Sequence, residues 1–234
     1  MARADLYVEE FDTLINQKGI ECQYYPAIVC QCISEDSGQP NYNCPYCGGS
    51  GFRYLLPKNL RVLVTSLSGK SFLDTLGLKE SGTVYATPTS DTIMGFHDRL
   101  VFPKFKCKYS ERIIFRQNEM VSSKTYRNIV EVETILIDGN VLELDKDFKV
   151  SEDTYHIELL PTVSELVEKS DINASILYYT NPSYLVEDLL HELRATYTER
   201  YVPKETYKEL PKQYKLVRED FVYNTQGSDE NGQY

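Results

Sequence analysis

The sequence has no tryptophan, only three histidines, and no run of about 18 apolar residues, the length a membrane-spanning helix needs. Its opening stretch, MARADLYVEEFDTLINQKG, lacks the continuous apolar centre of a secretory signal. The expectation is a protein made in a reducing cytosol and without membrane attachment. Basic residues are also scarce: 25 Lys and Arg against 35 Asp and Glu leave a formal charge of −10. Such a chain repels phosphate backbones at long range and has little attraction for anionic lipid. A main role in nucleic-acid binding is disfavoured on this ground.

Catalytic signatures are incomplete wherever they begin. SLSGKS, residues 66–71, ends like a P-loop, but Val64 stands where the first glycine of that motif belongs. His191-Glu192 opens like a zinc-protease helix, yet Ala195 replaces the second histidine. There is no G-x-S-x-G elbow. His97-Asp98, His156 and Asp188 are the remaining acid–base candidates, and no spacing rule brings them together. No repeat of fixed period occurs. The expectation is a protein that is not an enzyme.

What the chain does have is tyrosine, 19 of 234 residues, which suits half-buried strands and protein interfaces. Its pattern predicts an α+β class, mainly β. Leu6, Phe11, Leu14 and Ile15 recur at helical spacing and predict an N-terminal helix over 1–20. Short β-rich runs predict a barrel-like domain over 57–118 and a second β domain over 119–182. Within the latter, Asp138-Gly139 separates two alternating runs and signals a hairpin. The stretch 163–170 reads as a short helix or loop. Leu185, Val186, Leu189, Leu190 and Leu193 form a helical stripe that predicts a C-terminal helix over 184–199, within a helix-and-arm region spanning 183–224. Residues 225–234 carry little to bury and predict a disordered tail.

The remaining segment, 21–56, holds five of the six cysteines. Cys30-Gln-Cys32 and Cys44-Pro-Tyr-Cys47 offer four soft thiolates, the donor set of a closed tetrahedral zinc site. The first pair is more tightly spaced than is usual for such sites. A full thiolate shell leaves no position for water, so one structural zinc per chain is expected rather than a catalytic one. An iron–sulfur cluster or a redox role uses the same donors. In C-P-x-C-G the backbone folds back so that N–H groups face the sulfurs, and Gly48 permits the left-handed turn this needs. The loop has too little apolar content to form a core and depends on metal for order. Cys22 and Cys107 read as small buried hydrophobes, with Cys22 as a substitute ligand if Cys30 and Cys32 do not converge.

The segment CQCISEDSGQPNYNCPYCGGSGFRY resembles a pattern in virion structural proteins of tailed bacteriophages. That pattern runs from an N-terminal helix through C-x-C and a T/S-G-Q-P turn to C-P-x-C-x-G-x-G and an aromatic residue. Here those positions are Cys30, Cys32, Ser37-Gly38-Gln39-Pro40, Cys44, Cys47, Gly49, Gly51 and Phe52. The later stretches SILYYTNPSYLVEDLLHELR and LPKQYKLVRED look like the C-terminal part of such proteins, less distinctively. The resemblance implies a neck, head–tail connector or adaptor component of the virion, made in the host bacterial cytoplasm. It implies a ring homo-oligomer joined to portal and tail proteins, with DNA at most passing through its channel. The same C-x-x-C-x-G-x-G unit occurs four times in the zinc domain of DnaJ-type co-chaperones, but this chain has one and no J-domain. Two alternatives stay open: a zinc-ribbon nucleic-acid-binding or regulatory protein, and a hydrolase whose ligands converge only in three dimensions.

Overall fold

A computed structural model of the chain describes residues 7–66, 82–116, 119–121, 128–152, 154–160, 163, 171–189, 195–197 and 207–219. In chain order the first elements are α1 (Val8–Lys18), β1 (Ile20–Tyr25), β2 (Ala27–Val29), β3 (Phe52–Tyr54), β4 (Lys58–Ser66), β5 (Thr83–Thr87) and β6 (Arg99–Val101). There follow β7 (Cys107–Arg116), β8 (Glu119–Val121), β9 (Glu131–Ile137), β10 (Asn140–Leu142), β11 (Phe148–Val150), β12 (Ile157–Leu159) and β13 (Ile172–Thr180). The last are β14 (Ser183–Leu189), β15 (Ala195–Tyr197), β16 (Tyr207–Glu209) and β17 (Tyr214–Arg218).

The chain forms two units. One comprises the described residues of Met1–Pro103 and Ser183–Tyr223, and the other those of Lys104–Pro182. The first is a closed antiparallel barrel of six strands in the order β1-β4-β5-β17-β14-β6, with β6 returning to β1. Alternation decides which side chains fill it. Cys22 and Tyr24 of β1, Leu100 of β6, and Tyr214 and Leu216 of β17 point into a core with Val62, Ala86, Met94, Phe102 and Val186. Helix α1 carries Glu9 and Glu10 in its first turn, Lys18 in its last, and buries Val8 and Ile15. Gly19 ends it, donating its N–H to the Ile15 carbonyl at 2.7 Å. A Cβ there would lie 2.3 Å from that oxygen and 3.2 Å from the Val62 nitrogen, so only glycine lets the helix end so near β4.

The second unit is a seven-stranded sheet in the order β10-β9-β13-β7-β8-β12-β11. Its core gathers Ile113, Phe115, Ile135, Ile137, Phe148, Ile157, Ile176 and Tyr178, among others. Asp138 and Gly139 form a two-residue turn between β9 and β10. Their φ values of 49° and 82° give the left-handed pair that matches strand twist.

Seventeen strands and one helix among the described residues make the protein mostly β, which corrects the α+β class and the expectation of a helix at each end. Residues 183–189, read as the start of a C-terminal helix, are β14, and residues 195–197 are β15, paired with β16. The cause is a register shift between Val186 and Asp188, which leaves Glu187 outside the ladder with β17. The extra residue breaks the period of two, so Leu185 and Val186 are both buried, Glu187 and Asp188 both exposed, and Leu189 half-buried. That spacing imitates a helix. Residues 190–194 and 198–199 of the expected helix lie outside the described residues.

The domain boundaries also differ. The expected 57–118 domain divides after Pro103, because β7 pairs with β13 along nine residues of the second sheet. β14 and β17 rejoin the barrel instead of forming a separate arm. The expected tail at 225–234, the helix-or-loop reading at 164–170 and most of the 66–71 glycine-lysine segment lie outside the described residues.

Candidate metal centre

The metal-ligand candidates sit on a projection from the barrel. β2 and β3 form a short antiparallel ribbon, with Val29 opposite Phe52 and Ala27 opposite Tyr54. Residues 30–51 are the loop between them. The ribbon closes with the Cys30 N–H donating to the Gly51 carbonyl at 2.8 Å. Within the loop the backbone turns on itself: Gly38 N–H donates to Ser34 O, Cys44 N–H to Asn41 O and Gly48 N–H to Cys44 O. These turns follow from the local sequence, SEDSGQPNYN, which is rich in residues that bond to nearby backbone.

The turns bring the sulfurs of Cys30, Cys32, Cys44 and Cys47 within 4.8 Å of one another. Cys30 and Cys44 Sγ are 3.8 Å apart, and Cys32 and Cys47 Sγ are 3.5 Å apart. A zinc tetrathiolate with bonds of about 2.3 Å sets its sulfurs about 3.8 Å apart, so the donor set fits in both kind and spacing. Cys30 and Cys44 are buried, while Cys32 and Cys47 are partly open. The N–H of Tyr46, with that of Cys47, faces the Cys44 sulfur and holds its thiol down to about 7. Desolvation, opposed by the Asn41 N–H, pushes Cys32 up to about 12, with the neighbouring thiols adding to the rise.

Gly48 and Gly49 adopt φ values of 57° and 84°. A Cβ at Gly48 meets nothing within 4 Å, but one at Gly49 would come 2.8 Å from the Tyr42 carbonyl oxygen. The two positions should therefore respond differently. Gly48→Ala is expected to weaken any metal binding by the cluster by about 1 kcal/mol, from backbone strain alone. Gly49→Ala adds a backbone clash and is expected to cost on the order of 2–3 kcal/mol. Competition against a chromogenic chelator measures both, and equal effects would contradict the steric argument.

A buried carboxylate anchors the projection. Asp98 accepts the Tyr24 hydroxyl at 2.5 Å, the Ala27 N–H at 2.6 Å and the Gly95 N–H at 2.6 Å. Tyr24 belongs to the barrel core and Ala27 opens the ribbon, so one side chain joins both. Burial, together with the bond to Asp98, drives the Tyr24 hydroxyl's acidity down. Beside it His97, at φ 64°, stacks on Phe52 with centroids 4.2 Å apart, and Phe96 meets its edge at 4.3 Å. Burial lowers the His97 pKa. His97-Asp98 thus anchors the ribbon, a role that sequence spacing gave no means of seeing.

The other candidates are placed as follows. Cys22 lies in the barrel core, where burial pushes its thiol up to about 12, and it is not among the four clustered sulfurs. Cys107 is half-buried on β7 and donates to the Thr180 carbonyl at 3.5 Å. His156 lies in a turn whose backbone bonds to Ser151, and Asp188 is exposed on β14. His191 lies outside the described residues. No helix among the described residues is long and apolar enough to cross a membrane. Comparison with protein-family models gives no match, and comparison with curated protein sequences gives none either.

Proposed function

We propose that Cys30, Cys32, Cys44 and Cys47 hold one structural zinc ion, and that the protein is a non-enzymatic assembly component of a tailed-phage neck, of the head–tail connector type. The observation that carries the metal reading is the convergence of four sulfurs at tetrathiolate spacing. Zinc bound there would cross-link the two turns of a loop that has little core of its own, and four thiolates leave no coordination position for a substrate.

The assembly reading draws on the virion-protein resemblance of the same segment and on what the projection displays. Val29 is 64% exposed, Tyr46 72% and Leu56 87%, with Tyr42, Ile93 and Phe96 also exposed. Exposed apolar side chains of this kind suit a protein interface. A ring subunit needs such surfaces for itself and for its neighbours in the portal and tail.

Native mass spectrometry tests this reading. The purified chain, alone or mixed with portal, head and tail components, is expected to form a closed ring or a stoichiometric complex. A chain that stays monomeric in every mixture contradicts it.

A further inference from the structure

We infer that, in the metal-bound cluster, Cys47 is the sulfur that soft carbon electrophiles alkylate first, and that its alkylation is the step that lets the metal go. The inference rests on the metal reading and describes how the same site is controlled. Two observations single Cys47 out. Cys30 and Cys44 are buried, whereas Cys32 and Cys47 are partly open, so only the second pair is approached from solvent. Of those two, Cys32 has the Asn41 N–H facing its sulfur. Among the described residues no N–H is paired with the Cys47 sulfur, which meets the Cys32 sulfur at 3.5 Å. The chain beyond Cys47 adds no cover: Gly48 has no side chain, and a Cβ there would meet nothing within 4 Å.

The chemistry follows from charge. The thiolate is the nucleophilic form of cysteine, and a metal holds its sulfur ligands in that form. Four thiolates around a divalent ion leave two negative charges uncompensated, and N–H groups aimed at sulfur take up part of that charge. Cys44 has two such donors, from Tyr46 and Cys47, and Cys32 has one. Cys47 is open and has none, so its lone pair is the most available of the four.

With an alkyl halide the step balances without a further reactant. The Cys47 sulfur attacks the carbon, an S–C bond forms, and the carbon–halogen bond breaks as its electron pair leaves on the halide. The thiolate becomes a neutral thioether and no longer offers the metal a charged ligand. One corner of the site opens, and the loop ordered by the metal loosens with it.

The full-length protein, purified under reduction, is first assayed for zinc and then treated with less than one equivalent of iodoacetamide. Chelation, denaturation and capping with a heavy-isotope form of the same reagent follow, and fragment-ion mass spectrometry reads the label at each cluster cysteine. The expected result is at least about threefold more light label on Cys47 than on Cys32, a margin that one charged N–H bond readily supplies, and least on Cys30 and Cys44. Zinc, followed with a chromogenic chelator, is expected to appear in step, about one ion per chain labelled at Cys47. A zinc-loaded protein labelled first at another of the four, or equally at all four, overturns the inference and leaves the metal reading standing. Zinc retained by chains labelled at Cys47 overturns it in the same way. A preparation without zinc overturns both, and the assay made before labelling tells the two failures apart.

Discussion

Cys44→Ser is expected to abolish zinc retention and to unfold the 30–52 loop while the barrel stays folded. Cys44 is buried, supplies one of four clustered sulfurs, and lies where the Tyr46 and Cys47 N–H groups converge. A serine oxygen is a poor substitute for a thiolate on a soft site, and three remaining ligands leave the loop open at one corner. Structural zinc contributes on the order of 10 kcal/mol in small metal-folded units, far above what the loop's few turns supply. Amide hydrogen exchange should show loss of protection across 30–52. The barrel core, built from Val62, Leu100, Tyr214 and Leu216, does not include the cluster and should keep its protection. Cys107→Ser is the matching control, expected to cost only packing in the second unit. Equal loss of protection in both variants would contradict the assignment.

The second large effect is expected at Asp98. Its carboxylate takes three short hydrogen bonds, two from backbone N–H groups and one from Tyr24, in a buried setting. Bonds to a charged acceptor are worth about 1.5–3 kcal/mol each, and donors left unsatisfied in a buried site add to the cost. Asp98→Ala should destabilise the first unit by on the order of 3–5 kcal/mol and free the ribbon from the barrel. Asp98→Asn keeps an acceptor for some of these donors and should cost less. Urea denaturation followed by tyrosine fluorescence measures both. An alanine variant within about 0.5 kcal/mol of the parent protein would show that the anchor is not needed.

The contrast between the metal centre and the barrel shows which features were legible in sequence. Metal ligands are close in the chain, and their spacing reflects short turns, so Cys30, Cys32, Cys44 and Cys47 could be named before their positions were known. The same holds for Asp138-Gly139, where a two-residue turn carries its own conformational signature. Asp98 was visible only as half of a possible acid–base pair, because its partners Tyr24 and Ala27 lie 74 and 71 residues away in the chain. A barrel-like domain was expected over 57–118, but its strand set was hidden for the same reason: β14 and β17 close a sheet begun before residue 104. Local pattern misread β14 itself. A bulge at Glu187 gave the strand a helix-like burial sequence, and pairing with β6 and β17 outweighed local periodicity.

The virion reading depends on contacts that only an assembly contains, and the exposed ribbon is where those contacts are expected to fall. The metal reading is nearer to hand, and the order of the 30–52 loop rests on it. Elemental analysis of the full-length protein, purified under reduction and without added metal, tests it most directly. The account predicts about one zinc per chain, removed by a strong chelator together with the hydrogen-exchange protection of residues 30–52. A metal-free preparation with that loop still protected would contradict it.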